Sequence, residues 1–306
     1  MRRTEKRSIL IDCDPGLDDT VALALAAASQ ELDIAAITTV AGNATVERTT
    51  DNALSACATL GLQTPVYAGA AQPLRVKSAY AYEIWGGDGD LGLKRPRRGA
   101  LSESAVDFLL RSFAEAPDHS ILMCLLGPLT NLAHVLQRDS ALARKIDRLL
   151  VMGGALGKGN ATPAAEFNVW YDPHAARRVL SAEVPTVVVP YDLSRTVLVK
   201  KPQARRLAKS SRAVARLAAR MLALAGQDGH PAAMHDAVVI ACLLWPDLFV
   251  FDRGRITVGV EEGPARGQTR FVAGEGPHIL LSSVDPDRLV QQMVGRLLGK
   301  SEGRKR

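Results

Sequence analysis

Three things are missing from this sequence, and each absence removes a class of protein. No apolar run approaches the ~18 residues that a membrane-spanning helix needs. The first apolar stretch, SILI at residues 8–11, is cut by Asp12 and is too short for a signal peptide. Cysteine is scarce: Cys13, Cys57, Cys124 and Cys242 show no CxxC spacing and lie in apolar segments. That usage predicts buried, reduced thiols and a cytoplasmic location, not a disulfide scaffold. The third absence is charge of one sign in the body of the chain. The formal net charge is +6, yet residues 8–299 carry 30 basic and 30 acidic side chains. All the net positive charge sits in residues 1–7 and 300–306, expected to be frayed tails, which argues against a nucleic-acid-binding surface.

What is present is an ordinary globular composition, 47% hydrophobic and 23% charged over 306 residues, ample for a sizeable core. Strand-like runs at 8–13, 33–40, 120–126, 147–153 and 184–190 are short, aliphatic and without clean alternation. Such runs suit strands covered on both faces. Helix-like segments at 18–29, 45–60, 102–115, 128–138 and 172–182 separate them. The alternation predicts a single α/β domain over 8–299, with a mostly parallel, Rossmann-like central sheet flanked by helices. Residues 203–225 and 232–245 read as further helices, and 286–298 as a last one. RITVGV and TRFVAG, within 249–282, predict a small antiparallel appendage. No repeat or low-complexity linker interrupts the chain, and residues 70–100 form its longest irregular stretch.

The densest chemistry is IDCDPGLDD, where Asp12, Asp14, Asp18 and Asp19 crowd the end of the first strand. In open α/β sheets this is where ligands bind. Pro15 and Gly16 make a turn, and one aspartate can cap the next helix. Four carboxylates exceed what capping uses, and crowded carboxylates repel. A hard divalent cation with oxygen ligands resolves the conflict; a solvated acidic turn with one cap is the plainer alternative. An EF-hand fails, because Leu23 or Leu25 stands where the bidentate Glu belongs. A haloacid-dehalogenase-type phosphatase fits poorly, because Gly16 occupies the position of that family's Thr or Val.

DCDPGLDD resembles the N-terminal signature of the nucleoside hydrolases, the inosine-uridine preferring type. Four further stretches match in order: VAGN with Asn43, LLGPLTNLA, VMGGALGKGNATPAAEFNVWYDP, and MHDAVV. The resemblance runs from about Ile9 to about residue 282. It implies a Ca²⁺ ion held by Asp14, Asp19, Asp236 and the Leu126 carbonyl, a mixed oxygen set that suits calcium better than magnesium. It also implies ribose recognition by Asp18, Asn43, Asn160, Glu166 and Asn168, while Asp12 orients the loop from behind.

The implied reaction is hydrolysis of a ribonucleoside to ribose and free base. Asp14 would act as general base and His235 as general acid toward the leaving base. Two other outcomes stay open: a non-catalytic nucleoside or ribose binder, and the phosphatase. One departure concerns the base. Relatives with histidine at position 235 often carry His-Gly in the long loop, where this chain has Trp85 in EIWGGDGDLG. A tryptophan there is similar to purine-preferring relatives, so Trp85 and His235 are both candidates for base contact, and base preference stays open. The resemblance further implies a homo-oligomer, a dimer or tetramer. Arg205, Arg206, Lys209, Arg212, Arg216 and Arg220 make a positive stripe that reads as a solvated helix face. Gly226 and Gly229 beyond it would let a pocket wall move.

Overall fold

The structure, a computed structural model, describes residues 6–82, 87–94, 96, 98–226 and 231–300. Trp85, Gly229 and nearly all of both basic tails lie outside those residues. The first half alternates as expected: β1 (Arg7–Cys13), α1 (Leu17–Ala27), β2 (Leu32–Thr39), α2 (Val46–Leu60), β3 (Val66–Ala68), α3 (Ala105–Glu115), β4 (Ile121–Leu125), α4 (Thr130–Arg138) and β5 (Ile146–Met152). Then come α5 (Phe167–Tyr171), α6 (Pro173–Leu180), β6 (Thr186–Val189), α7 (Tyr191–Ser194), β7 (Leu198–Val199), α8 (Lys201–Ala208) and α9 (Ala213–Ala225). The chain closes with β8 (Ala232–Ala233), α10 (His235–Leu244), β9 (Phe249–Val258), β10 (Thr269–Ala273), β11 (His278–Val284) and α11 (Pro286–Leu297).

Nine strands form one sheet in the order β10-β9-β11-β6-β5-β4-β1-β2-β3. From β3 to β6 all pairs are parallel, and β1 is flanked by β2 and β4. The connection order reverses between β1 and β4, and the crevice beyond their carboxyl ends is the expected ligand position. The expected antiparallel appendage is present as β9, β10 and β11. β11 pairs parallel with β6 and antiparallel with β9, so they extend the same sheet. A separate two-stranded antiparallel sheet joins β7 and β8.

The two faces explain the strand composition. Ile9, Ile11 and Cys13 face one core with α1, α9, α10 and α11, whereas Met123 and Leu125 face the other with α3, α4 and α6. Burial on both sides removes the alternation that a half-exposed strand would show. Helix α1 is buried from Asp19 to Ala26 and apolar all round from Val21 onward, as a central helix must be. Leu23 within it is fully buried, and truncation to alanine there costs about 2–5 kcal/mol. All four cysteines are buried and free. No helix among the described residues is long and apolar enough to cross a membrane.

Three expectations change. The helix expected over 203–225 is broken at Ser210 and Ser211, whose hydroxyl and carbonyl groups take local partners. Ser210 Oγ accepts from the Arg212 amide at 3.2 Å, and Arg216 Nη1 donates to the carbonyls of Ser210 and Ser211. The helix expected from 232 begins at His235, because Ala232 and Ala233 pair with Val199 and Leu198. Nor is the basic stripe simply solvated. Arg212 donates to the carbonyls of Arg296 and Leu297 at the end of α11, both at 3.0 Å, and Arg220 donates to Leu91 and Gly92.

Candidate active site

The turn between β1 and α1 is closed by its own aspartates. Asp19 accepts from the Asp14 amide at 3.2 Å and from the Gly16 amide at 2.9 Å, a side-chain cap over the start of α1. Asn43, just beyond β2, locks the turn from the side. Its backbone amide donates to Asp14 Oδ2 at 2.6 Å, and its side-chain nitrogen donates to the Asp14 carbonyl at 3.0 Å and Asp19 Oδ2 at 3.1 Å. Gly42 and Gly127 flank the Asp14 carboxylate so closely that a β-carbon at either position would collide with one of its oxygens. Those two glycines are therefore a steric requirement of this carboxylate.

Asp12 points into the layer beneath. Its Oδ1 accepts from Thr38 Oγ1 at 2.5 Å and Asn131 Nδ2 at 2.7 Å, and its buried Oδ2 has no hydrogen-bond partner. Asn131 also donates to the Thr39 carbonyl at 2.9 Å and accepts from the Ala70 amide at 2.8 Å. The pair ties β1 to β2 and to the chain beyond β3, under the floor of the site. Burial pushes the Asp12 carboxyl up to about 7.

On the β4 and β5 side, Asn168 joins two strand ends. Its side-chain nitrogen donates to the Leu126 carbonyl at 2.7 Å and the Met152 carbonyl at 3.1 Å. A carbonyl oxygen has a second lone pair, so Leu126 can still face a ligand. Glu166 caps α5. Its carboxylate accepts from the amides of Asn168 at 2.8 Å, Gly154 at 3.0 Å and Val169 at 3.1 Å. Asn160 Oδ1 accepts from the Phe167 amide at 2.8 Å, which commits its oxygen and leaves its amide hydrogens.

His235 opens α10. Its ring stacks on Tyr191, with centroids 5.4 Å apart and planes inclined at 28°, and its Nδ1 lies 2.9 Å from Ser194 Oγ. Burial lowers its pKa, opposed by the charge of Asp18. Beside it, Asp236 meets Asp18 and Asp19. One carboxylate oxygen from each of the three lies within 4.8 Å of the other two. Burial pushes the Asp236 carboxyl well above its ordinary range, and the charges of Asp18, Asp19, Asp14 and Glu166 push the same way. Burial likewise raises Asp14, with Asp19 adding to it, and raises Asp19 to about 7, with Asp18 adding to it.

These groups surround a cleft of about 780 Å³, within the size range of small-molecule sites. Asp14, Asp18, Asn43, Leu126, Asn160, Glu166, Asn168, His235 and Asp236 all line it, while Asp19 lies immediately behind Asp14. Ala81, Tyr82 and Leu91, with Phe167, Tyr191 and Leu224, add apolar and aromatic surface. Among the described lining residues there is no lysine or arginine. Buried carboxylates in contact, with no basic side chain in the wall, fit a hard cation with oxygen ligands.

The structure thus brings nearly all the expected side chains to one cleft, with a different inner grouping. Asp18, expected at the sugar, joins Asp19 and Asp236, and Asp14 supplies no oxygen to that trio. Trp85 lies outside the described residues. Sequence reasoning missed Tyr191 and Ser194, which support His235, and Asn131, which supports Asp12. Asn131 stood within a matching stretch, LLGPLTNLA, but Tyr191 and Ser194 carried no local signal.

Comparisons with known proteins place this sequence and fold among the nucleoside hydrolases. The family profile described as inosine-uridine preferring nucleoside hydrolase matches residues 9–291. A pyrimidine-specific ribonucleoside hydrolase, RihB of Escherichia coli O9:H4 (strain HS), is 36% identical over 278 residues, covering 87% of each chain. Among solved structures, the plant nucleoside hydrolase PpNRh1 superimposes with a TM-score of 0.86 at 28% identity, over 95% of this chain and 99% of that one. A purine-preferring ribonucleoside hydrolase from Gardnerella vaginalis gives 0.84 at 26% identity, over 96% and 98%.

Proposed function

The chain belongs to the inosine-uridine preferring nucleoside hydrolase family, and on that premise we propose that it hydrolyses the N-glycosidic bond of ribonucleosides in a calcium-dependent reaction. The observation that carries the reading is the convergence of Asp18, Asp19 and Asp236 in a cleft whose described wall holds no basic side chain. Asp19 and Asp236 would hold the ion, with Asp14 and the Leu126 carbonyl as the remaining protein ligands and Asp18 within reach of the same position. When bound, a divalent cation supplies a hard Lewis acid that grips sugar hydroxyls and lowers the pKa of an adjacent water.

The chain's own residues do the rest. Asp14 accepts the proton of the attacking water. Its Oδ2 is already fixed by the Asn43 amide, so no reorganisation is required at that atom. Asn160 and Asn168 orient the ribose. Glu166 acts through Asn168, since its carboxylate holds the Asn168 amide and the start of α5. The carboxylates of Asp14, Asp18 and Asp236 face the anomeric carbon's developing positive charge. His235 delivers a proton to the departing base, its ring held by Ser194 and by the Tyr191 face.

The test is a panel of inosine, uridine, adenosine and cytidine, assayed for reducing sugar with and without chelator. Sugar release that chelation abolishes and calcium restores is the expected result. Binding without release makes the protein a nucleoside binder. Phosphate release from nucleotides, with nucleosides left intact, makes it a phosphatase. The same panel reads base preference, on which the named relatives differ: one is called pyrimidine-specific, another purine-preferring.

A further inference from the structure

The outer wall of the cleft includes Gly87, Asp88, Gly89, Asp90 and Leu91. Two aspartates fold this stretch on itself: Asp88 Oδ1 accepts from the Asp90 amide at 2.9 Å, and Asp90 Oδ1 from the Gly92 amide at 2.7 Å. Gly89 has φ of 72°, and a β-carbon there would approach Ala44 Cβ to 2.6 Å. The wall therefore rests against the residue that follows Asn43. Arg48 on α2 pairs with Asp90 at 3.1 Å, and Arg220 on α9 donates to the Gly92 carbonyl at 2.6 Å. Among the described residues, both arginines reach the wall and neither bonds to the aspartate turn.

Asn52 on α2 does something else. Its buried side-chain nitrogen donates to the Gly89 carbonyl at 2.8 Å and to the Pro15 carbonyl at 2.9 Å. Both hydrogens of one amide are thereby used, one on the wall and one on the turn between Asp14 and Gly16. We propose that Asn52 is a positioning residue that fixes the outer wall at a set distance from the aspartate turn, so that the two move as one body. The kinetic consequences rest on the hydrolase reading; the structural coupling does not. Asparagine suits the task because aspartate, its isostere, would turn two donors into acceptors facing two carbonyls.

Hydrogen exchange and kinetics on the purified full-length chain test this with Asn52→Asp, Asn52→Leu and Arg220→Met. Both Asn52 variants should speed exchange at the Asp14 and Gly16 amides and at residues 87–92, while β5 keeps its protection. Arg220→Met should speed exchange at 87–92 only. In turnover, Asn52→Asp should lower kcat on the order of 100-fold, the loss that a misplaced catalytic group produces. Arg220→Met should act mainly on KM. Faster exchange at only one of the two segments in both Asn52 variants would overturn the proposal. So would faster exchange throughout, β5 included, in both of them, because that pattern marks a general folding role. A wild type that releases no sugar removes the hydrolase reading and leaves the exchange pattern to decide the coupling.

Discussion

Glu166 and Asp236 are both buried carboxylates in the same cleft, and they are buried in opposite ways. Glu166 accepts three backbone N–H groups, two at the start of α5 and one from Gly154 beyond β5. Asp236 sits at the start of α10, with Asp18 and Asp19 for neighbours. Burial raises both carboxyls; backbone amides offset part of the rise at Glu166, while neighbouring charges drive Asp236 further up. The contrast separates a carboxylate held by backbone donors from one crowded by other carboxylates, the one that would take an ion on the proposed reading.

The strongest way to break the comparison is to neutralise each acid in turn. Asp236→Asn should reduce turnover by about 10³-fold or more, as loss of a principal electrostatic group does. Calorimetric calcium titration should show weakened binding, and the apo protein should be no less stable, since crowding is relieved. Next comes His235→Ala. Cleavage of natural nucleosides should slow about 10²-fold, while a nitrophenyl riboside, whose leaving group needs no proton, should be spared. Equal losses on both would remove the general-acid role. Glu166→Ala should instead cost stability, about 2–4 kcal/mol by denaturant titration, for the lost cap and stranded amides.

A pH series sharpens the same contrast. Asp19 ionises near 7 in the folded chain against an ordinary 3.8, because burial and then Asp18 oppose its charge. A raised acid binds its proton more tightly folded than unfolded, so its contribution to stability falls as pH rises from about 4 to about 7. The melting temperature of chelated protein should therefore decline across that window, and added calcium should flatten the decline. The smallest effect belongs to Arg205, exposed on α8. Arg205→Ala should change stability by no more than about 0.5 kcal/mol and leave turnover unchanged.

Much of this was legible in the sequence because the parallel strands and their helices are set by local composition. The runs at 8–13 and 33–40 became β1 and β2 within a residue of their expected ends. The aspartate cluster announced itself because four like charges beside an apolar run demand an explanation. Three things were not legible. β3 has only three residues, too few for a pattern. The grouping of Asp18 with Asp19 and Asp236 depends on side-chain direction around one tight turn, which spacing does not encode. The support of His235 by Tyr191 and Ser194 joins residues about forty positions apart, and each of them reads alone as an ordinary polar or aromatic residue.

The slot around Asp14 carries a consequence for how the molecule comes to work. Its walls are Gly42 beyond β2 and Gly127 beyond β4, and its occupant hangs from the end of β1. No fragment holding fewer than these three strands in register can contain the slot. During refolding, recovery of turnover would thus time the completion of the sheet's centre. Any intermediate lacking one of the three strands would be silent, however much helix it had regained.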